Sequence, residues 1–169
     1  RSERLLDFVQ NYRKLTRVPK PVFQSINAKN FLSTIGILMR EELSRKSIHF
    51  AIDLAKENLE LNIDPVLIEQ VLINLIRNSI NALEDSIKKQ IKINVYSEDH
   101  SVIVEVSDTG KGIPDKEMKE IFVPFFSTKK DGSGIGLSLS KQIMAMHGGR
   151  IRVSSIVNEG TSFYLHFIK

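Results

Sequence analysis

Between Val22 and Lys169 the apolar residues keep changing their spacing, stepping by two and then by three or four. Period two marks half-buried strands and the longer step marks amphipathic helices, so the chain must pack both kinds of element around one core. Val22–Ile26 is predicted as a short strand, and Ala28–Arg45 as a helix with Phe31, Ile35, Leu38, Met39 and Leu43 facing inward. Ser47–Leu54 alternates Ile48, Phe50, Ile52 and Leu54, and Glu57–Leu61 is expected to extend that edge. Asp64-Pro65 is a helix start, a capping carboxylate followed by proline in the first turn. The helix it opens is expected to run to about Ile87. Ile91–Ser97 and Ser101–Ser107 form a hairpin turning at Glu98-Asp99-His100. A short helix over Asp115–Ile121, a loop through Ser133 and a helix to His147 follow, the last stopped by Gly148-Gly149. Arg150–Ile156 then pairs with Thr161–Ile168 across Asn158-Glu159-Gly160. The class this order predicts is α+β: a two-layer α/β sandwich with a mixed, mostly antiparallel sheet and about three helices.

The stretch before Val22 reads differently. Ser2–Thr16 spaces Leu5, Phe8, Val9, Tyr12 and Leu15 as one helix face, and Val18-Pro19-Lys20-Pro21 ends it in a stiff connection. Either this helix docks on its own domain or its partners lie elsewhere. The expected division is residues 1–18 as a helix remnant and 22–169 as one domain. No apolar run approaches the roughly 18 residues of a membrane span. Without cysteine there are no disulfides and no thiolate metal sites. The net charge of +4 is read as scattered surface lysine, with no nucleic-acid partner.

The chemistry concentrates in four segments. On the helix after Asp64, Gln70, Asn74, Arg77, Asn78 and Asn81 fall in one sector, opposite Ile68, Leu72, Leu75, Ile76 and Leu83. Asparagine is a poor helix former, and a merely solvated face would carry Glu and Lys. Amide oxygens instead suit a metal–phosphate site, because Mg²⁺ takes few protein ligands and an added carboxylate would repel the phosphates. At a strand end, Asp108-Thr109-Gly110-Lys111-Gly112-Ile113 offers a carboxylate able to accept from the exocyclic amine of adenine. Gly132-Ser133-Gly134-Ile135-Gly136-Leu137 opens a helix, where free N–H groups favour an anion. It lacks the Lys-Ser/Thr of a P-loop and the setting of a Rossmann unit. Between these two, Ile121-Phe122-Val123-Pro124-Phe125-Phe126-Ser127-Thr128-Lys129-Lys130 places apolar rings in a loop. The expectation is a mobile lid over Phe122–Ser133, with Lys129 or Lys130 as a phosphate clamp.

The order of these segments, with the late Gly160-Thr161, resembles the N box, two glycine boxes, F box and terminal Gly-Thr of sensor histidine kinases. These are relatives of gyrase B, Hsp90 and MutL, and the resemblance covers Val22–Lys169. It implies a Bergerat-type ATP-binding fold with Asn78 as Mg²⁺ ligand and Asp108 on adenine. Gly112 and Ile113 would line the base, with Gly110 beside them. The amides of Gly132, Ser133, Gly134, Ile135, Gly136 and Leu137 would hold phosphates, and Thr161 would reach the base through water. Asn74 and Asn81 share the nucleotide side of the helix. The implied activity is ATP-dependent phosphorylation of a histidine, and onward transfer to an aspartate of a response-regulator receiver domain. The implied partners are that receiver and the chain's own helical dimerisation and phosphoacceptor domain, of which residues 1–18 would be the end. The parent would be a homodimer, this domain cytoplasmic and the parent anchored in the inner membrane.

Three departures matter. Asn81 stands where many members of the family have a basic residue, and Ser79 and Thr109 replace the commoner Ala and Asn. The phosphoacceptor His with its acidic neighbour is absent. His49, His100, His147 and His166 have other contexts and are read as structural or surface residues. The competing functions are a dimer-gated ATPase and a nucleotide-gated interaction module. The ATPase families resemble one another in carrying a general-base Glu four residues before the metal-binding Asn, where this chain has Asn74. An amide cannot take water's proton.

Overall fold

The computed structural model describes residues 2–129 and 132–169. A first helix, α1 (Ser2–Thr16), leads through the two prolines to β1 (Gln24–Asn27), α2 (Ala28–Arg45) and β2 (His49–Leu54). Next come β3 (Glu60–Ile63), α3 (Pro65–Ala82), β4 (Gln90–Glu98) and β5 (Ser101–Asp108). The chain closes with α4 (Asp115–Met118), α5 (Gly136–Met146), β6 (Arg150–Ile156) and β7 (Gly160–Ile168).

Five strands form one sheet in the order β2-β4-β5-β7-β6, with β2 parallel to β4 and every other pair antiparallel. Helices α2, α3 and α5 bury their apolar stripes on one side of this sheet, against Ile91, Ile93, Val104, Val106, Phe163 and Leu165. The expected two-layer sandwich with a mixed sheet is what forms. No helix is long and apolar enough to cross a membrane among the described residues.

Four local expectations are corrected. Glu57–Leu61 does not extend the main edge, because β3 pairs antiparallel with β1 in a separate two-stranded sheet. Leu38 is 55% exposed beside Ile37, since the buried stripe of α2 runs through Leu32, Ile35 and Met39 and leaves Leu38 at its margin. α3 ends at Ala82, well short of Ile87, because the Ala82 carbonyl accepts the Lys111 N–H at 3.1 Å. α4 is likewise a single turn that ends at Met118, ahead of Ile121.

Asp64 caps α3 as its sequence context requires, Oδ1 accepting from the N–H of Val66 (3.0 Å) and Leu67 (3.1 Å). Its Oδ2 accepts the Val22 N–H at 2.8 Å, which ties the end of the proline connection to the helix start. The Asp64 N–H in turn donates to His147 Nε2 at 3.0 Å, so the C-terminus of α5 is held to the N-terminus of α3. α1 touches the domain through Phe8, whose ring stacks on Phe125 at 5.1 Å, while Leu5, Leu6 and Tyr12 stay more than half exposed.

Candidate functional site

The sheet register sets one end of the site. Asp108, the last residue of β5, lies opposite Thr161 on β7, and Thr161 lies opposite Ser155 on β6. α3 crosses behind them, and the loops after β5 and before α5 close the sides. The result is a cleft of about 730 Å³ whose walls include Asn74, Asn78, Asn81, Asp108, Gly112, Ile113, Lys129 and Thr161. Gly132, Ser133, Gly134, Gly136 and Leu137 complete the wall at the start of α5.

Two of the expected residues stay outside. Gly110 is buried behind the wall, where a Cβ would meet Ala82 at 2.8 Å. Ile135 is 5% exposed and packs beneath the loop. Gln70 and Arg77, on the same helix sector, also lie off the cleft, and Arg77 Nε reaches Glu42 of α2 at 3.5 Å. Lys130 lies outside the described residues. Lys111, inside the first glycine segment, also lines the cleft, and so do three residues not singled out from the sequence, Glu84, Glu117 and Phe163. Nothing in their spacing marks them, because the fold alone brings them there.

Asp108 is the buried charge of the site, 9% exposed. Its Oδ2 accepts from the Ser79 hydroxyl at 2.8 Å and its Oδ1 from the Gly110 N–H at 2.9 Å. Burial pushes the carboxyl above the ordinary Asp range, against the hydrogen bonds from Ser79, Gly110 and the Thr161 backbone. Ser79 therefore does more than replace alanine: it orients the carboxylate. A second hydroxyl, that of Ser155, shares a 2.8 Å hydrogen bond with Thr161 Oγ1 and accepts the Ile113 N–H at 2.8 Å. It joins the first glycine loop to the β6–β7 hairpin. Gly112, at φ +71°, packs against that hairpin so closely that a Cβ would strike Ile156 and Val157 backbone.

At the other end, Asn74 Nδ2 donates to Ser140 Oγ at 3.0 Å, and Ser140 Oγ donates to the Gly136 carbonyl at 2.9 Å. A Cβ at Gly136 would run into the end of the Asn74 side chain, so glycine lets the start of α5 pack closely on α3. No side chain caps α5 and its first turn has no acidic residue, which leaves its N-terminal N–H groups facing the cleft. Such an end attracts phosphate.

Lys129 Nζ donates to Asn78 Oδ1 at 3.2 Å. The residue as a whole is exposed, yet its ammonium is desolvated enough that burial, followed by repulsion from Lys111, holds its pKa below the usual lysine value. Phe126, Ser127 and Thr128 share this wall, and the Phe125 N–H donates to the Gly134 carbonyl at 2.8 Å. None of the four histidines lines the cleft.

Residues 63–169 match the family described as histidine kinase-, DNA gyrase B- and HSP90-like ATPase. Sporulation kinase A of Bacillus subtilis (strain 168) is 32% identical over 148 residues, which are 88% of this chain and 24% of that protein. The chain thus spans about a quarter of that relative's length. The nucleotide-free catalytic domain of histidine kinase ThkA is 33% identical with a TM-score of 0.78, over 88% of this chain and 96% of that one. ThkA in complex with response regulator protein TrrA gives a TM-score of 0.81 at 28% identity, over 99% of this chain and 48% of that one.

Proposed function

The chain belongs to the histidine kinase-, DNA gyrase B- and HSP90-like ATPase family, and from that membership we propose that it binds Mg–ATP and transfers the γ-phosphoryl group to a histidine. Asp108 would hold adenine, with Ile113, Gly112 and Thr161 on the same wall of the cleft. The glycine segment 132–137 and the uncapped start of α5 would hold the triphosphate. Asn78 is the metal ligand. Its amide oxygen already accepts from a cation, the Lys129 ammonium, so it is a donor that a metal ion could take in the ammonium's place. Bound there, Mg²⁺ supplies charge neutralisation for the phosphates.

The observation that carries the kinase reading is Asn74. Its amide is engaged with Ser140 at the α3–α5 contact, and it has no lone pair basic enough to take a proton from water. A neutral imidazole needs no such base. Its ring nitrogen forms the bond to phosphorus, the bond to the β,γ-bridging oxygen breaks, ADP leaves with the electron pair, and the ring sheds its other proton to solvent. The acceptor histidine comes from a helical dimerisation domain, of which residues 1–18 form the end, and residues 22–169 are the catalytic domain. The phosphoryl group then passes to an aspartate of a receiver domain, as the ThkA–TrrA complex invites. Titration calorimetry with a non-hydrolysable ATP analogue and Mg²⁺ tests the first step. Saturable one-site binding is expected, and no binding by the folded chain would refute it.

A further inference from the structure

Lys129 and Asn78 stand 51 positions apart and come from different walls of the cleft, yet an ammonium–amide hydrogen bond of 3.2 Å joins them. The lysine loses hydration by going there and faces a like charge, Lys111, across the same cleft. An uncompensated ammonium would turn outward to water on its flexible stem, so the Asn78 amide oxygen is what holds it in the cleft. Among the described residues no carboxylate lies within ion-pair distance of it. We propose that Lys129 is the resident cation of this site: its ammonium holds the Asn78 oxygen that a divalent ion would take, supports metal-free nucleotide from that position, and withdraws along the phosphates when metal binds. This rests on the nucleotide-binding reading above.

The physical reason for exchange is simple. A divalent cation bound at Asn78 and an ammonium on the same oxygen would repel each other at contact distance, whereas four rotatable methylene bonds let the ammonium reach a neighbouring phosphate oxygen. Lys129 then contributes more to the binding of free nucleotide than to that of metal–nucleotide. A lysine that only clamps phosphate would help both alike.

The experiment compares dissociation constants of a non-hydrolysable ATP analogue in Mg²⁺ and in EDTA, for wild type, Lys129→Gln and Lys129→Arg. The expected result is a ratio of the EDTA constant to the Mg²⁺ constant that rises about tenfold in Lys129→Gln, the size of one charged hydrogen bond. Lys129→Arg keeps a cation and stays near the wild-type ratio. Parallel weakening in both buffers, or no change in either, overturns the proposal. Because Lys129 is exposed, both variants should fold, and circular dichroism verifies it. Independently, the side-chain resonance of Lys129 in reductively methylated protein should move when Mg²⁺ is added to analogue-saturated chain, and a stationary resonance would contradict the exchange. Failure of wild type to bind in either buffer overturns the nucleotide-binding reading and this assignment with it.

Discussion

The Ser79 hydroxyl donates to Oδ2 of Asp108 at 2.8 Å, one turn-end of α3 against the last residue of β5. The carboxylate is buried, and this bond together with the Gly110 N–H fixes which lone pairs face the cleft. Ser79→Ala removes one donor and leaves the other. Affinity for an ATP analogue should fall about 2- to 10-fold at neutral pH, the span of a net contribution of ~0.5–1.5 kcal/mol. Calorimetric titration reads it, and an unchanged constant would show that Ser79 is only a space filler.

The pH dependence follows from Asp108 itself. Burial raises its pKa in the folded domain above the ordinary Asp value, so the folded state binds the proton more tightly than the unfolded chain. Ionised Asp108 is therefore a cost to folding at neutral pH that disappears as pH falls. Nucleotide affinity moves the other way: it declines as pH falls through the raised pKa, because the neutral acid no longer offers a charged acceptor. Asp108→Asn should weaken binding by about 10- to 150-fold, from ~1.5–3 kcal/mol for a charge-assisted bond, and flatten the profile. Titrations at several pH values check both.

Asp64 has the opposite sign. Burial pushes its pKa up, but the N–H groups of Val22, Leu67 and Val66 together outweigh it and leave it below the ordinary value. Its contribution to stability is present above pH 3.8 and is lost as pH falls through the lowered folded pKa. Asp64→Ala should cost about 1–2 kcal/mol for the lost cap, or roughly 2–8 °C in Tm for a chain of this size. It should also free the Val22 connection, which limited proteolysis near Lys20 would detect.

Much of this was legible in the sequence for identifiable reasons. Asp64-Pro65 named a helix start that the structure caps through the same carboxylate. The alternation in Ile91–Ser97 and Ser101–Ser107 named a hairpin whose ladder runs from Ile91 opposite Asp108 to Glu98 opposite Ser101. What failed depended on contacts between distant segments. α3 stops early because Lys111 claims the Ala82 carbonyl, and β3 leaves the main sheet to pair with β1. Gly110 packs so tightly against Ala82 and the Asp108 carboxylate that a Cβ has no room there, a contact its spacing does not reveal. Ser155 carried no signal at all. Its importance lies in reaching Ile113 and Thr161 at once, which only the fold reveals.

Gly136 gives a prediction that separates the two ends of the cleft. Gly136→Ala forces a methyl group against the Asn74 amide and disturbs the start of α5 without touching Asp108. Affinity for a triphosphate should fall several-fold while affinity for adenosine stays near wild type, because only the phosphate end is displaced. Equal losses for both ligands would show a general loosening of the fold.

We propose that this domain phosphorylates a histidine and does not spend ATP on water. General-base catalysis is typically worth about 10²–10⁴-fold, and Asn74, which donates to Ser140, puts an amide where the resemblance to the ATPases implies a carboxylate. The most direct test incubates the chain with γ-labelled ATP and Mg²⁺, with and without a separately made helical domain bearing the acceptor histidine. The expected result is slow hydrolysis and no self-labelling by the chain alone, and label on the helical domain that is lost in acid and kept in base. Brisk Mg²⁺-dependent hydrolysis by the chain alone, with no acid-labile label on the added domain, would contradict it.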